Sequence, residues 1–169
     1  MISVVFPGQG SQTVGMASEF FNEFTYVKEL FQRADETLNQ SISKLILKGP
    51  LEELNKTENT QPSIFLVSYS IFEVLKKENK IDLKKIKYFA GHSLGEYSAL
   101  ACSGSLEFEE TIRLLKERGK AMQSAVPDGK GGMLAILKSN LEIVNNILIE
   151  NKNNYKCFVA NDNSEGQIV

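Results

Sequence analysis

Apolar residues follow two different spacings in the first third of the chain. Residues 2–6 form a short run rich in β-branched and aromatic side chains that stops at Pro7-Gly8, which predicts a buried strand entering a tight turn. Between residues 20 and 38 apolar side chains recur at intervals of three and four, which predicts one amphipathic helix. A second, short helix is predicted over residues 42–48, because Gly49-Pro50 cannot continue it.

The same alternation continues through the middle of the chain. Residues 59–62, Asn-Thr-Gln-Pro, predict the start of a helix whose apolar face runs down to Lys76. The charged residues 80–87 predict a solvated connection, and residues 88–90 a short apolar segment that stops at Gly91. Helical spacing then resumes twice, once around Tyr97 and once from Phe108 to Met122. Because strands and helices alternate, we expect a parallel sheet with helices on its faces.

The composition changes at residues 127–132, which are rich in glycine and predict a flexible connection. Beyond it the pattern predicts a strand at 133–137, a helix at 141–150, a strand at 155–160, a polar turn at 161–166 and a third strand from Gln167. This order resembles the first half of a ferredoxin-like unit. We therefore expect two domains, residues 1–126 and 127–169. We also expect the protein to be longer than these 169 residues. The sequence stops just after the third strand begins, and the backbone groups of such a strand need a ladder partner and flanking residues.

Composition and charge narrow the function classes. The chain has 169 residues, 42% of them hydrophobic, and 19 Lys plus Arg against 21 Asp plus Glu, which leaves no basic face for nucleic acid. No apolar run is long enough to span a membrane, and nothing marks export. Cys102 and Cys157 are far apart, so neither a disulfide framework nor a thiolate metal site is expected. These features favour a reduced, cytoplasmic setting.

The motif with the clearest chemistry is Gly91-His92-Ser93-Leu94-Gly95, a G-x-S-x-G between a predicted strand and a predicted helix. Such a turn exposes the serine hydroxyl as a nucleophile, which makes Ser93 the candidate catalytic residue. The backbone N–H of Leu94, at the helix start, is then one oxyanion donor. The other interpretation is a chance match in a loop.

A second oxyanion donor is expected in the glycine-rich segment after the first strand, and Gln9 is the natural candidate. A dinucleotide fingerprint would need a glycine where the chain has Thr13, and no P-loop lysine motif is present. The only histidine, His92, is a poor base for its neighbour Ser93, so a role in lining the pocket is expected instead. The residues alone provide no visible catalytic triad.

Four segments of the chain have specific patterns. They are Val5-Phe6-Pro7-Gly8-Gln9-Gly10-Ser11-Gln12, Thr60-Gln61-Pro62, Gly91-His92-Ser93-Leu94-Gly95-Glu96-Tyr97-Ser98-Ala99-Leu100 and Arg118-Gly119-Lys120-Ala121-Met122-Gln123. Together they closely resemble the malonyl-CoA:acyl carrier protein transacylases of fatty acid synthesis. The resemblance implies an α/β-hydrolase-like parallel sheet with helices on both faces, plus a smaller ferredoxin-like subdomain that is cut short at Val169.

The resemblance also implies roles. Ser93 would take the malonyl group from malonyl-CoA and pass it to acyl carrier protein, with the N–H groups of Gln9 and Leu94 as the oxyanion hole. Arg118 would hold the malonyl carboxylate. The other substrate-binding residues would be His92, Met122, Asn161 and Asn163. The family's general base lies in a segment beyond Val169, so we expect the 169-residue chain alone to be inactive. A monomer without cofactor or metal is also implied.

Two enzyme alternatives remain open. One is a polyketide-pathway acyltransferase, which the motifs barely separate from the fatty acid enzyme. The other is an α/β-hydrolase-type esterase or thioesterase, which shares the serine turn but delivers the acyl group to water. An equal loss of malonyl and acetyl turnover on removal of Arg118 would favour the hydrolase.

Overall fold

A computed structural model of the protein describes residues 1–126, 130–154 and 156–169. The chain divides into two compact units, Met1–Val126 and Pro127–Val169. Over the described ranges, no helix combines the length and apolar character needed to cross a membrane.

Two parallel strands place the ends of two loops side by side in the first unit. Strand β1 (Ile2–Phe6) pairs with β2 (Ile86–Gly91), and Phe6 lies opposite Gly91. The predicted strand at residues 2–6 and the parallel pairing are confirmed. Strand β2 begins two residues before the predicted segment, because Ile86 still pairs with Ile2. Since both strands end at the same edge, the loops that follow them are neighbours.

Five helices connect β1 to β2. They are α1 (Ser18–Glu23), α2 (Thr25–Leu38), α3 (Ile42–Lys48), α4 (Leu51–Leu54) and α5 (Thr57–Lys77). The prediction of one helix between residues 20 and 38 is wrong, because Phe24 takes an extended conformation (φ −110°, ψ 117°) and separates α1 from α2. The predicted short helix at residues 42–48 is confirmed as α3.

Helix α5 begins earlier than the sequence pattern indicated. The predicted start at residues 59–62 is wrong, since the helix starts at Thr57 and Pro62 lies inside it. The amide of Asn59 donates to the Glu53 carbonyl at 2.9 Å, and the Thr60 hydroxyl donates to the Leu54 carbonyl at 2.6 Å. These bonds tie the first turn of α5 to α4, so the helix is already formed when the proline is reached.

The remaining elements of the first unit carry the chain through the core. A short 3-10 helix (Leu83–Lys85) precedes β2, and α6 (Leu94–Cys102) and α7 (Phe108–Ala125) follow it. Helix α5 packs against both α6 and α7. The fully buried large apolar side chains of this unit are Phe31, Phe65, Ile42, Ile46, Leu54, Leu66, Leu94, Ile112, Leu115 and Val27. This core fixes α6 and α7 relative to the sheet.

The described residues of the second unit, 130–154 and 156–169, form one helix and a small antiparallel sheet. The predicted helix is confirmed as α8 (Leu141–Glu150), and the Ile143 N–H in its first turn donates to Asn140 Oδ1 at 2.9 Å. Strands β3 (Ile136–Leu137), β4 (Asp162–Ser164) and β5 (Gln167–Ile168) form a sheet in the order β3-β5-β4. The predicted third strand is confirmed as β5.

Two predictions for the second unit are wrong, and a third is too long. Residues 156–160 form no strand, and β4 lies in the predicted polar turn at 161–166. The reason is the tight turn at Gly166 (φ 84°), which pairs β4 with β5 and so moves the strand past the apolar run. The predicted strand at 133–137 is reduced to its last two residues. Residues 127–129 of the predicted connection, and Tyr155, lie outside the described residues.

Candidate active site

The turn between β2 and α6 places Ser93 in a strained conformation. Its φ of 55° and ψ of −112° lie in a region that side-chain-bearing residues rarely adopt. The turn is tight because the Gly95 N–H donates to the His92 carbonyl at 2.9 Å and the Glu96 N–H donates to the Ser93 carbonyl at 3.1 Å. Ser93 is exposed at the start of the helix. The geometry therefore presents its hydroxyl rather than burying it.

The two glycines of the turn allow three backbone segments to meet. A Cβ atom at Gly91 would lie 2.0 Å from the carbonyl carbon and oxygen of Gly95. A Cβ atom at Gly95 would lie 2.5 Å from the Phe6 carbonyl oxygen and 2.8 Å from that of Pro7. Any side chain at these positions would force α6 away from both strands. Gly91 and Gly95 therefore determine the position of Ser93 at the end of the sheet.

Arg118 reaches Ser93 from α7. Its Nη2 donates to Ser93 Oγ at 3.0 Å and its Nη1 to Gln61 Oε1 at 2.7 Å. The guanidinium carbon also lies 5.8 Å from the centre of the Tyr97 ring. Within residues 1–126, 130–154 and 156–169, Arg118 forms no ion pair with an Asp or Glu side chain. A half-buried positive charge beside the serine hydroxyl is thus free to bind an anion.

Gln61 is a site residue that sequence reasoning missed. It is fully buried on α5, accepts from Arg118, and donates through Nε2 to Met122 Sδ at 3.2 Å. The predicted residue Met122 therefore joins the same cluster, although 44% of its surface is exposed. The available signal was its place in the Thr60-Gln61-Pro62 segment that carries the family resemblance, but the sequence pattern assigned it only to a helix start.

The predicted oxyanion donors lie on the two neighbouring loops. Leu94 is the first residue of α6 and is buried, and its N–H is not among those bound to the His92 and Ser93 carbonyls. Gln9 lies in the turn after β1, where its side-chain amide donates to Thr57 Oγ1 at 3.3 Å. The two loops meet where the His92 N–H donates to the Phe6 carbonyl at 3.3 Å.

His92 lies against the loop that follows β1. Its Nδ1 is 2.8 Å from the position that a Cβ atom on Gly8 would occupy, so the glycine makes room for the imidazole ring. The side chain is exposed at the same edge of the sheet as Ser93.

The two predicted asparagines lie in the second unit. The Asn161 backbone pairs with Val169 at 2.9 and 3.1 Å, and the Asn163 amide donates to Gln167 Oε1 at 3.2 Å.

A buried thiol, possible metal ligands and an apolar cavity were each compared with the site at Ser93. Burial and the neighbouring Glu73 raise the pKa of the Cys102 thiol to about 12, so it stays protonated at neutral pH. Among the described residues, no three His, Cys, Asp or Glu side chains come together as a metal site. An apolar cavity of about 300 Å³ between β1 and α5 is lined by neither Ser93 nor Arg118. The chemistry is concentrated at Ser93.

Comparison with known proteins gives one consistent result. The family described as "Acyl transferase domain" matches residues 4–168. The malonyl CoA-acyl carrier protein transacylase of Haemophilus influenzae is 44% identical over 167 residues, which are 99% of this chain and 53% of the relative. The chain thus spans about half the length of the curated relatives it matches.

Solved structures agree with this match. The acyl-carrier-protein-S-malonyltransferase of Bartonella henselae is 39% identical, with a TM-score of 0.91 over 99% of this chain and 54% of that one. A second match comes from the solved structure of a type II PKS acyl-carrier protein in complex with its malonyl-transacylase. The TM-score is 0.89 at 40% identity, over 98% of this chain and 53% of the matched chain. The mixed α/β fold of the chain is therefore that of solved malonyltransferases.

Proposed function

Because the chain belongs to the acyl transferase domain family, we propose that the protein transfers a malonyl group from coenzyme A to the phosphopantetheine thiol of acyl carrier protein, as a step of fatty acid biosynthesis. The observation that carries this proposal is the 3.0 Å hydrogen bond from Arg118 to Ser93 Oγ. It places beside a nucleophile a cation that has no acidic partner among the described residues, and malonyl differs from acetyl by one carboxylate. The solved complex of a similar malonyl-transacylase with its carrier protein supports the choice of acceptor.

The transfer takes place in two steps at Ser93. In the first, Oγ attacks the thioester carbonyl, loses its proton and becomes an ester, while the coenzyme A sulfur leaves and is protonated. In the second, the phosphopantetheine thiol attacks the ester carbonyl, and the serine hydroxyl is restored. The backbone N–H groups of Leu94 and Gln9 stabilise the oxyanion of each tetrahedral intermediate. This chemistry requires neither a metal nor a cofactor.

Arg118 selects the acyl group in this scheme. A guanidinium presents a planar fork that matches a carboxylate, and the apolar core behind α7 strengthens the pairing by excluding water. His92 and Met122 would line the same acyl pocket, and Asn161 and Asn163 would be further substrate-binding residues. These roles distinguish the acyltransferase from a hydrolase, which has no need of a cation at this position.

We propose the same family's architecture for the two units. Residues 1–126 would belong to an α/β-hydrolase-like subdomain, which the parallel β1–β2 pair and the strand–turn–helix at Ser93 support. Residues 127–169 would form part of a ferredoxin-like subdomain, supported by the order β3, α8, β4, β5 and by antiparallel pairing. We also propose that the protein is a monomer located in the cytoplasm, where its substrates, malonyl-CoA and acyl carrier protein, diffuse freely.

The proposal predicts a covalent malonyl ester on Ser93. We expect brief incubation of the complete protein with malonyl-CoA, followed by acid quench and digestion, to yield the peptide containing Ser93 with the added mass of one malonyl group. Intact and peptide mass spectrometry measure it. Addition of carrier protein bearing phosphopantetheine should then discharge the ester. A Ser93 peptide that remains unmodified while malonyl-CoA is consumed would contradict the mechanism.

Replacing Arg118 by alanine should affect malonyl much more than acetyl. We expect kcat/KM for malonyl-CoA to fall roughly 30-fold or more, because truncation leaves the substrate carboxylate unpaired. Loading of acetyl-CoA should be unchanged or improved. Arg113→Ala provides the matched control, since Arg113 is an exposed arginine on the same helix. Equal losses for the two thioesters would instead favour an esterase or thioesterase.

A polyketide pathway is the second candidate, because the solved complex with a similar malonyl-transacylase contains a type II PKS carrier protein. The first half-reaction would be the same, and the acceptor would differ. Rates of malonyl transfer to carrier proteins of the two pathways from the same organism separate the candidates. Competition between malonyl and methylmalonyl thioesters also tests the width of the acyl pocket.

A further inference from the structure

We propose that Gln61 is a positioning residue that orients Arg118 while leaving its positive charge uncompensated. The inference rests on the proposed malonyl transfer and adds a determinant of acyl specificity behind the arginine. Gln61 and Ser93 accept from different nitrogens of the guanidinium, Nη1 for the glutamine and Nη2 for the serine. Gln61 therefore acts through Arg118 and not on the substrate.

The orientation of the Gln61 amide is determined at both ends. Its oxygen accepts from Arg118 Nη1 at 2.7 Å, and its nitrogen donates to Met122 Sδ at 3.2 Å. The side chain is fully buried, so reversing the amide would place its NH2 group against the guanidinium with no water to compensate. The oxygen thus faces Arg118 permanently. The guanidinium plane is held while its remaining donors stay available.

The close packing of two helices sets the distance between Gln61 and Arg118. A Cβ atom at Gly119 would lie 2.5 Å from the Glu58 Cα atom and 2.7 Å from the Thr57 carbonyl oxygen. Only glycine lets α7 approach the first turn of α5 this closely. Arg118 immediately precedes this contact, and Gln61 is one turn along α5 from Glu58. The glycine therefore sets the separation that the 2.7 Å hydrogen bond requires.

Among the described residues, the acidic side chain in the first turn of α5 forms its ion pair with Lys116 and not with Arg118. A carboxylate oxygen of Glu58 lies 3.7 Å from the Lys116 ammonium nitrogen. Asn59 accepts from the same ammonium group at 2.9 Å. At Gln61 the chain has an amide, which can hold a guanidinium but cannot neutralise it. A carboxylate there would form the ion pair that the substrate is meant to form.

Gln61→Glu tests this inference, because it keeps the shape of the side chain and adds a charge. We expect kcat/KM for malonyl-CoA to fall roughly 30-fold or more, mainly through KM, since the buried carboxylate would compete with the substrate for Arg118. Acetyl loading of Ser93 should change by less than about threefold, because an acetyl group makes no use of the charge. The measurement is single-turnover loading of the complete protein with each thioester. Gln32→Glu adds the same charge at an exposed position and should change neither rate.

A second variant covers the case in which the buried carboxylate prevents folding. Gln61→Met has a similar volume and no charge, so it removes the acceptor while leaving Arg118 positive. We expect a smaller loss, about tenfold for malonyl-CoA and little for acetyl-CoA, with a thermal midpoint close to that of the wild type.

Parallel losses for both thioesters, or unchanged malonyl kinetics in a folded variant, would refute the positioning role. If the wild type itself forms no malonyl ester on Ser93, the proposed function fails first, and the inference fails with it.

Discussion

Ser93→Ala is expected to reduce malonyl transfer by about 10⁶-fold, the scale on which removal of an enzyme's nucleophile lowers kcat. The reason is that both half-reactions pass through an ester on this oxygen. Arg118 and the helix-start N–H of Leu94 remain in place, but no serine oxygen is left to attack the thioester carbonyl. The fold should be retained, because alanine meets the same backbone strain at φ 55° as serine does.

The measurement is transfer of radiolabelled malonyl to carrier protein, together with the search for an ester on the peptide. Ser98→Ala is the matched control on the same helix. Ser98 is fully buried, and in the part of the chain that the structure describes its hydroxyl has no hydrogen-bond partner. Its removal should leave activity within about twofold and stability unchanged or slightly higher. Residual transfer above about 1% in Ser93→Ala would show that another group carries the acyl chain.

Gly91→Ala is expected to have the largest effect on the fold. The new methyl group would lie 2.0 Å from the Gly95 carbonyl and 2.5 Å from the Glu96 nitrogen, which are backbone atoms and cannot rotate away. Relief requires α6 to move from the end of the sheet, where Leu94 anchors it in the core. We expect a loss of more than about 4 kcal/mol in the free energy of unfolding, which is enough to unfold many proteins of this size.

Urea unfolding followed by circular dichroism measures this loss, with soluble yield as a second readout. Gly132→Ala is the comparison, because no heavy atom lies within 4 Å of its added Cβ and its φ is ordinary. That variant should unfold within about 0.5 kcal/mol of the wild type. A Gly91→Ala protein as stable as Gly132→Ala would mean that the turn tolerates a side chain and that the glycine serves another purpose.

The sequence predicted elements well where one periodic signal ended at a clear stop. Strand β1 ends at Pro7-Gly8 and helix α3 ends at Gly49-Pro50, and both have the predicted bounds. The errors arose where tertiary contacts override local preference. The single helix predicted between residues 20 and 38 is divided at Phe24 although the apolar spacing continues, and Pro62 lies within a helix that begins at Thr57. The spacing of apolar residues carries no information about hydrogen bonds to a preceding helix, such as those that start α5 at Thr57.

The candidate site shows the same division. Ser93, Leu94 and Gln9 were predicted because each stands beside a glycine turn at the end of a strand, which is a local signal. The distance from Arg118 to Ser93 could not be predicted from spacing, since the two residues are 25 positions apart and the contact depends on how α7 packs against α5 and α6. Gln61 was missed for a related reason. A buried glutamine is distinguished from a surface one by its partners alone, and those lie on α7.

The close contacts at Gly91 and Gly95 bear on how descendants of this protein would diverge. These glycines are required by packing, whereas Ser93 is required by chemistry, so the two constraints can be lost separately. A copy released from selection for activity could exchange the serine and still need both glycines to fold. A related protein that keeps both glycines but has lost the serine is therefore expected to fold without forming an acyl-serine ester.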